Sequence, residues 1–231
     1  MSLSFGWLRP GTDVRRELEA AVIALLASVA IGSALMLVAG VSPGHVWSEM
    51  IALTFSDAYW TGQVLYKATA LALTGLAVGL ALDAGLFNIG AEGQLTAGVL
   101  ACAVVGVALP AGTPALVAVP LCLLAAAAAG GAVGALIGVM RVARDAHEVI
   151  TSIMLNAIVA GLALYIGNVA LFQGGTTTGA PIVAGAQLPQ LGLGGSSASV
   201  ALVLSIAAVA TVWWLRSRTT LGQAWLAVGK D

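Results

Sequence analysis

Glu92, Asn88 and Gln94 put one carboxylate and two carboxamides into the short stretch GLFNIGAEGQL, residues 85–95. A carboxylate there can hold an ion or relay a proton, and carboxamides donate and accept hydrogen bonds at once. Asp83 stands just before them. For about twenty residues on either side the chain is mostly Leu, Val and Ala. A second polar set occurs in HEVITSIMLNAI, residues 147–158, where Glu148, Ser152 and Asn156 recur every four residues. On a helix that spacing makes one polar stripe, flanked by Thr151. Such a stripe is costly against lipid and should face protein or a water-filled cavity. The third set, RSRTTLGQAWLAVGKD at 216–231, combines two arginines with Leu221, Trp225, Leu226 and Val228. Leu221 and Trp225 lie one helical turn apart, and Gly222 and Gly229 permit sharp turns.

The elements that position these residues follow from composition. The 231 residues are 60% hydrophobic and 8% charged, with a mean hydropathy of +1.02. Soluble domains carry about 25% charged residues, so the class is an all-α, polytopic membrane helical bundle. A β-barrel would alternate in short segments. A net charge of -1 with no basic block leaves no footprint for nucleic acid. Six stretches have the length of a span: about 18–40, 64–84, 91–109, 115–140, 149–171 and 198–215. The first is too long for a signal-peptide core and reads as a retained span. Pro120 falls near the start of the fourth, where a missing amide donor costs little. Gly130, Gly134 and Gly138, and Gly75 and Gly79, read as helix-packing positions.

With the N-terminus inside, eight of the nine basic residues lie on the cytoplasmic side: Arg9, Arg15, Arg16, Arg141, Arg144, Arg216, Arg218 and Lys230. Only Lys67 falls outside, in accord with the positive-inside rule. The connections 41–63 and 172–197 then face outward. The first has room for an amphipathic surface helix with Trp47, Tyr59 and Trp60 at the interface. The stretch 85–95 reads either as a solvated turn or as a broken, re-entrant helix opened by Gly85, Gly90 and Gly93. The polar stripe reads either as interhelical hydrogen bonding or as pathway lining. The tail reads as a solvated end, a cytoplasmic docking helix, or a lipid-lying helix anchored by Trp225. Cys102 and Cys122 sit inside apolar runs and read as buried free thiols in preference to a disulfide or redox pair. His45 and His147 share no ligand spacing with them, so no metal is expected. No HExxH, GxSxG or paired-aspartate motif supports an intramembrane enzyme. An ion-coupled secondary transporter, with Asp83, Glu92 or Glu148 as relay, is the alternative to the reading below.

At these three stretches the chain resembles the permease subunits of ATP-binding-cassette importers. It is most similar to the nucleoside and simple-sugar branch, related to the ribose and branched-chain amino-acid permeases. GLFNIGAEGQL matches that branch nearly letter for letter. HEVITSIMLNAI corresponds to its NEVI-T-MLN stretch, with His147 where asparagine is usual. RTTLGQAWLAVGKD resembles the segment preceding the contact with the ATPase. The resemblance implies one transmembrane permease domain over 1–231 in a cytoplasmic (inner) membrane. It implies two permease subunits, two ATPase subunits and an extracytoplasmic solute-binding protein. No cofactor is expected on this chain, with ATP and Mg held by the ATPase. Asn88, Glu92, Gln94, Ser152 and Asn156 become expected pathway residues. Arg144 and Glu148 become a gating pair at the cytoplasmic mouth. Leu221, Gly222 and Trp225, within 216–231, become the start of the ATPase-coupling segment. Members of the branch continue for several spans beyond AVG, so the chain is expected to be a fragment or a truncated product. The motifs lean toward a nucleoside or purine over a pentose, with a simple sugar also open.

Overall fold

The computed structural model describes residues 13–172 and 178–229. Arg9, Lys230 and Asp231, the side chain of Arg15, and residues 173–177 of the second long connection lie outside the described residues. Helices dominate: α1 (Asp13–Val38), α2 (Pro43–Ser56), α3 (Ala58–Asp83), α4 (Ala91–Ala108), α5 (Ala115–Arg144), α6 (Glu148–Ile166), α7 (Ala201–Arg218) and α8 (Thr220–Val228). Among the described residues, six helices are long and apolar enough to cross a membrane. They match the six expected stretches, with α3 starting earlier than its apolar core and α5 running on to Arg144. The contacts divide the chain into two compact units, residues 1–60 and 61–231.

In the first unit, α1 and α2 are joined through Gly40, whose positive φ of 75° suits a residue without a Cβ. The indole Nε1–H of Trp47 on α2 donates to Ser33 Oγ on α1 at 2.9 Å, satisfying the one polar atom of the indole. Tyr59 and Trp60 meet edge to face at 5.1 Å between ring centroids.

In the second unit, α4 and α5 form an antiparallel pair joined by residues 109–114. Small residues set their separation. A Cβ added at Gly98 would lie 3.1 Å from the Ala126 carbonyl oxygen, and one at Gly130 would lie 3.0 Å from that of Gln94. The Gln94 side chain covers Gly134, with Nε2 3.3 Å from a Cβ placed there. Gly130 and Gly134 therefore pack as expected, whereas Gly75, Gly79 and Gly138 meet nothing within 4 Å among the described residues. Pro120 is the sixth residue of α5, past the first turn. It forfeits one helical hydrogen bond, a larger cost than its expected place at the start implied.

The described part of the second long connection, 172 and 178–197, is organised. A π-helical turn, Gly167–Leu171, extends α6, and the Phe172 ring packs on Gly167. Val183 N–H then donates to the Gly106 carbonyl at 3.0 Å, and Gly185 seats directly on the Thr113 carbonyl. A hairpin follows, with Gln190 bridged to Ser199. Its tip uses positive φ at Gly192, Gly194 and Gly195 and sets Ser196 against Gly62 of α3. Ser196 is buried, and among the described residues its hydroxyl has no hydrogen-bond partner.

The packing separates two kinds of glycine. Gly98→Val should wedge α4 from α5 and cost about 1–3 kcal/mol, as overpacking does. Gly75→Ala should be neutral or stabilising by up to about 1 kcal/mol, from helix propensity alone. Thermal unfolding in detergent, followed by fluorescence, distinguishes them; equal effects would overturn this assignment of the α4–α5 contact.

Candidate functional site

The three polar stretches meet at the end of the second unit that bears Arg141, Arg144, Arg216 and Arg218. The meeting point is the turn between α3 and α4, residues 84–90.

The turn begins where α3 closes itself off. Leu86 N–H donates to the Ala81 carbonyl and Gly85 N–H to that of Leu82, both at 2.9 Å. With φ of +74° at Gly85, this pattern satisfies carbonyls that the helix end leaves open. Asn88 then accepts from Gly90 N–H through Oδ1 at 2.8 Å, a side-chain-closed turn. Gly90 is the residue before α4 and, lacking a side chain, cannot cap it. A Cβ at Gly90 would lie 2.5 Å from Ile137 Cδ1 and 3.2 Å from Ser152 Cβ. The stretch is thus a packed turn between two helices, with Asn88 in the turn and Glu92 and Gln94 in the first turn of α4.

The backbone N–H groups of α4's first turn have no partners within their own helix. Asn156, on α6, supplies one. Its Oδ1 accepts from Gly93 N–H at 2.9 Å, and its Nδ2 donates to the Ile89 carbonyl at 3.1 Å. One carboxamide therefore caps α4 from another helix and pins the turn before it. Gly93 has to be glycine: a Cβ there would lie 2.6 Å from Asn156 Oδ1.

The rest of the stripe follows from that contact. Ser152 is fully buried beneath Gly90, and its hydroxyl donates to Val149 of its own helix at 3.0 Å. Thr151, also buried, donates to the His147 carbonyl. Glu148 opens α6, where a carboxylate favours the helix dipole. Its ion pair is with Arg141 Nε at 3.5 Å. The expected pairing of Glu148 with Arg144 gives way to Arg141, which also binds Asp145 at 3.0 Å. The reason is geometric. Asp145 ends α5 in the left-handed conformation, φ 50°, so the chain reverses within three residues and brings Glu148 back to Arg141, one turn before Arg144. Arg144 itself is exposed, as is Glu92.

The third stretch closes on the same turn from the α7 side. Thr219 caps α8 by accepting from Gly222 N–H at 3.2 Å. Gly222 lies flush against the backbone of Leu215 and Arg216. Gly229 seats directly on the Asp83 carbonyl, and a Cβ at Gly85 would lie 3.3 Å from Gly229 Cα. Arg216 pairs with Asp83 at 3.1 Å. Leu80, Asp83, Val212, Leu215, Arg216, Gly222 and Trp225 enclose a cavity of about 40 Å³, room for a water or two beside the ion pair. Leu221, Trp225 and Val228 remain 73%, 41% and 67% exposed, an apolar stripe on the outward side of α8.

Residues 61–231, which contain all three stretches, match the family described as branched-chain amino acid transport system / permease component. The chain belongs to that family. It is 34% identical to the guanosine ABC transporter permease protein NupP of Bacillus subtilis (strain 168), over 90% of this chain and 60% of that protein. It is 35% identical to the glucose ABC transporter permease protein TsgB13 of Haloferax volcanii, over 97% of this chain and 60% of that protein. It is 31% identical to the nucleoside ABC transporter permease protein NupB of Lactococcus lactis subsp. cremoris, over 62% of this chain and 39% of that protein. The chain thus spans about 60% of the length of the first two. No solved structure matches it. The permease is a multi-pass membrane protein.

Several residues of this permease's junction stand outside the expected set: Asp83 and Arg216, Arg141, and the glycines at 85, 90, 93 and 229. The glycines were visible as turn-formers, but nothing in their spacing names the partner each one admits. Asn156→Ala should leave the Gly93 N–H unpaired and cost about 1–3 kcal/mol. Asn156→Asp, compared at a pH low enough to keep its carboxyl protonated, retains an acceptor for Gly93 and a donor for Ile89 and should cost less. Detergent melting curves of the two variants check that order, and a reversed order would remove the capping role from Asn156.

Proposed function

We propose that this chain is part of the transmembrane subunit of an ATP-driven importer for a nucleoside or a simple sugar, with no catalysis of its own. The observation that carries the reading is the identity of 34–35% to both a guanosine and a glucose permease along 90% or more of this chain. Those two solutes share an uncharged, polyhydroxylated ring, a chemistry suited to amide and hydroxyl donors and acceptors. ATP and Mg belong to separate ATPase subunits on this reading. A second permease subunit completes the pathway, and an extracytoplasmic binding protein delivers the solute. The membrane is the cytoplasmic one, the N-terminus lies inside, and the arginine-rich end faces the cytoplasm.

The junction supports a division of labour. The capping amides of Asn88 and Asn156 and the buried Ser152 hold α4 in place at the pathway wall. Glu92 and Gln94, at the start of α4, are the residues of this set proposed to meet solute. Arg141, with Glu148, takes the place at the cytoplasmic mouth first assigned to Arg144 and Glu148. The exposed stripe Leu221, Trp225 and Val228 is the ATPase contact, and Gly222 sets its angle by seating α8 against α7. A push on α8 would then reach the α3–α4 turn through Gly229 and Asp83.

In the full-length permease with its ATPase, uptake of labelled nucleoside or hexose into vesicles should require ATP and survive a proton ionophore; the opposite pattern would remove the importer reading. Trp225→Ala should weaken ATPase association by about 2 kcal/mol, roughly 30-fold, as loss of an interface anchor does. Unchanged co-purification and transport would make α8 a lipid-lying helix. For orientation, a cysteine at Gln187 should react with an impermeant maleimide in intact cells and one at Val142 should not. Labelling of position 142 alone would invert the topology.

A further inference from the structure

Cys102 on α4 and Cys122 on α5 have no part in the junction, yet the α4–α5 register brings them face to face. Gln94 opposes Gly130 and Gly98 opposes Ala126, so each four-residue step along α4 is matched by four residues back along α5. The next layer in that series is Cys102 opposite Cys122. The two known layers have the spacing a disulfide requires: a Cβ built at Gly98 lies 3.7 Å from Ala126 Cβ, and one built at Gly130 lies 4.0 Å from Gln94 Cβ. Disulfides span about 3.5–4.5 Å between Cβ atoms. Both cysteines are free thiols, Cys122 buried and Cys102 partly so. Cys122 Sγ also lies 3.7 Å from a Cβ placed at Gly106, one turn further along α4. Both cysteines sit at a similar level, about 9 and 10.5 Å in from the helix ends at Ala108 and Ala115.

We propose that Cys102 and Cys122 form a two-thiol modification site that closes into a reversible disulfide, fastening α4 to α5, when a membrane-permeant two-electron oxidant reaches it. Each thiol loses its proton and a sulfur–sulfur bond forms. The two electrons and two protons reduce the oxidant, for example the N=N bond of azodicarboxamide to a hydrazine. A dithiol reverses the reaction by exchange through a mixed disulfide. Closure requires no new approach of the helices, because the small residues on the junction side of the pair already hold the backbones at disulfide distance.

The test uses the full-length permease in native membranes, treated with azodicarboxamide, denatured, and labelled with a heavy maleimide. Both cysteines should label fully before treatment and lose labelling together after it, and dithiothreitol should restore it. Peptide mass spectrometry should show residues 102 and 122 in one cross-linked species lighter by two hydrogens than the sum of its reduced peptides. In Cys102→Ser, Cys122 should keep its labelling through the same treatment. Two thiols that still label after the oxidant, or a Cys122 that is blocked equally in Cys102→Ser, would overturn the site. The mass measurement on the unmodified sequence decides it without relying on any variant.

Discussion

A helix whose first turn is packed among its neighbours exposes N–H groups that its own backbone cannot satisfy. In this protein the helix is α4, and the group that answers is the Asn156 carboxamide. Because that amide bonds to both Gly93 and Ile89, it fixes α6 about its own axis as well as along it. The rotation that aims Asn156 at α4 also puts Ser152 beneath Gly90 and Glu148 toward Arg141. The stripe on α6 is therefore one commitment made at its centre, with its other members carried along by helical geometry. The close fit at Gly93 is the counterpart on α4, since a side chain there would push the amide out of reach, and Gly90 just before the helix leaves the same room for Ser152.

The other side of the same turn is governed by backbone contact. Gly85 ends α3 in a left-handed conformation and presents a bare backbone to Gly229. The Asp83–Arg216 pair adds direction more than energy, because partly exposed ion pairs contribute little. Residues 84–90 thus have α6 fastened to one end and α8 to the other. A segment that would be a loose connection by length alone is held at both ends.

Much of this was legible in the chain. Long apolar runs located the spans, and the four-residue spacing of Glu148, Ser152 and Asn156 identified an inward face. The family followed from the three motifs. What was not legible depended on which surface meets which. Arg141 and Arg144 are equally basic and Arg144 is the nearer to Glu148 in sequence, yet the left-handed turn at Asp145 brings Glu148 to Arg141. Gly75 and Gly79 have the same spacing as Gly130 and Gly134, yet among the described residues only the second pair lies against a neighbouring helix. A small residue states that close approach is permitted and is silent on what approaches. The connection at 172–197 contains no charge and few side chains able to signal order. The order of its described part comes from the carbonyls of Gly106 and Thr113 and from Gly62, all remote in sequence.

The cap on α4 also has a chronology. Gly93 and Asn156 are 63 residues apart, so the ribosome completes α4 well before the amide that caps it exists. At roughly 5–20 residues per second, the interval is on the order of 3–13 seconds. During that time the open end of α4 has to be served by water, lipid headgroups or the insertion machinery. Membrane entry of α4 and its final seating are thereby separated into two events, the second timed by the arrival of α6.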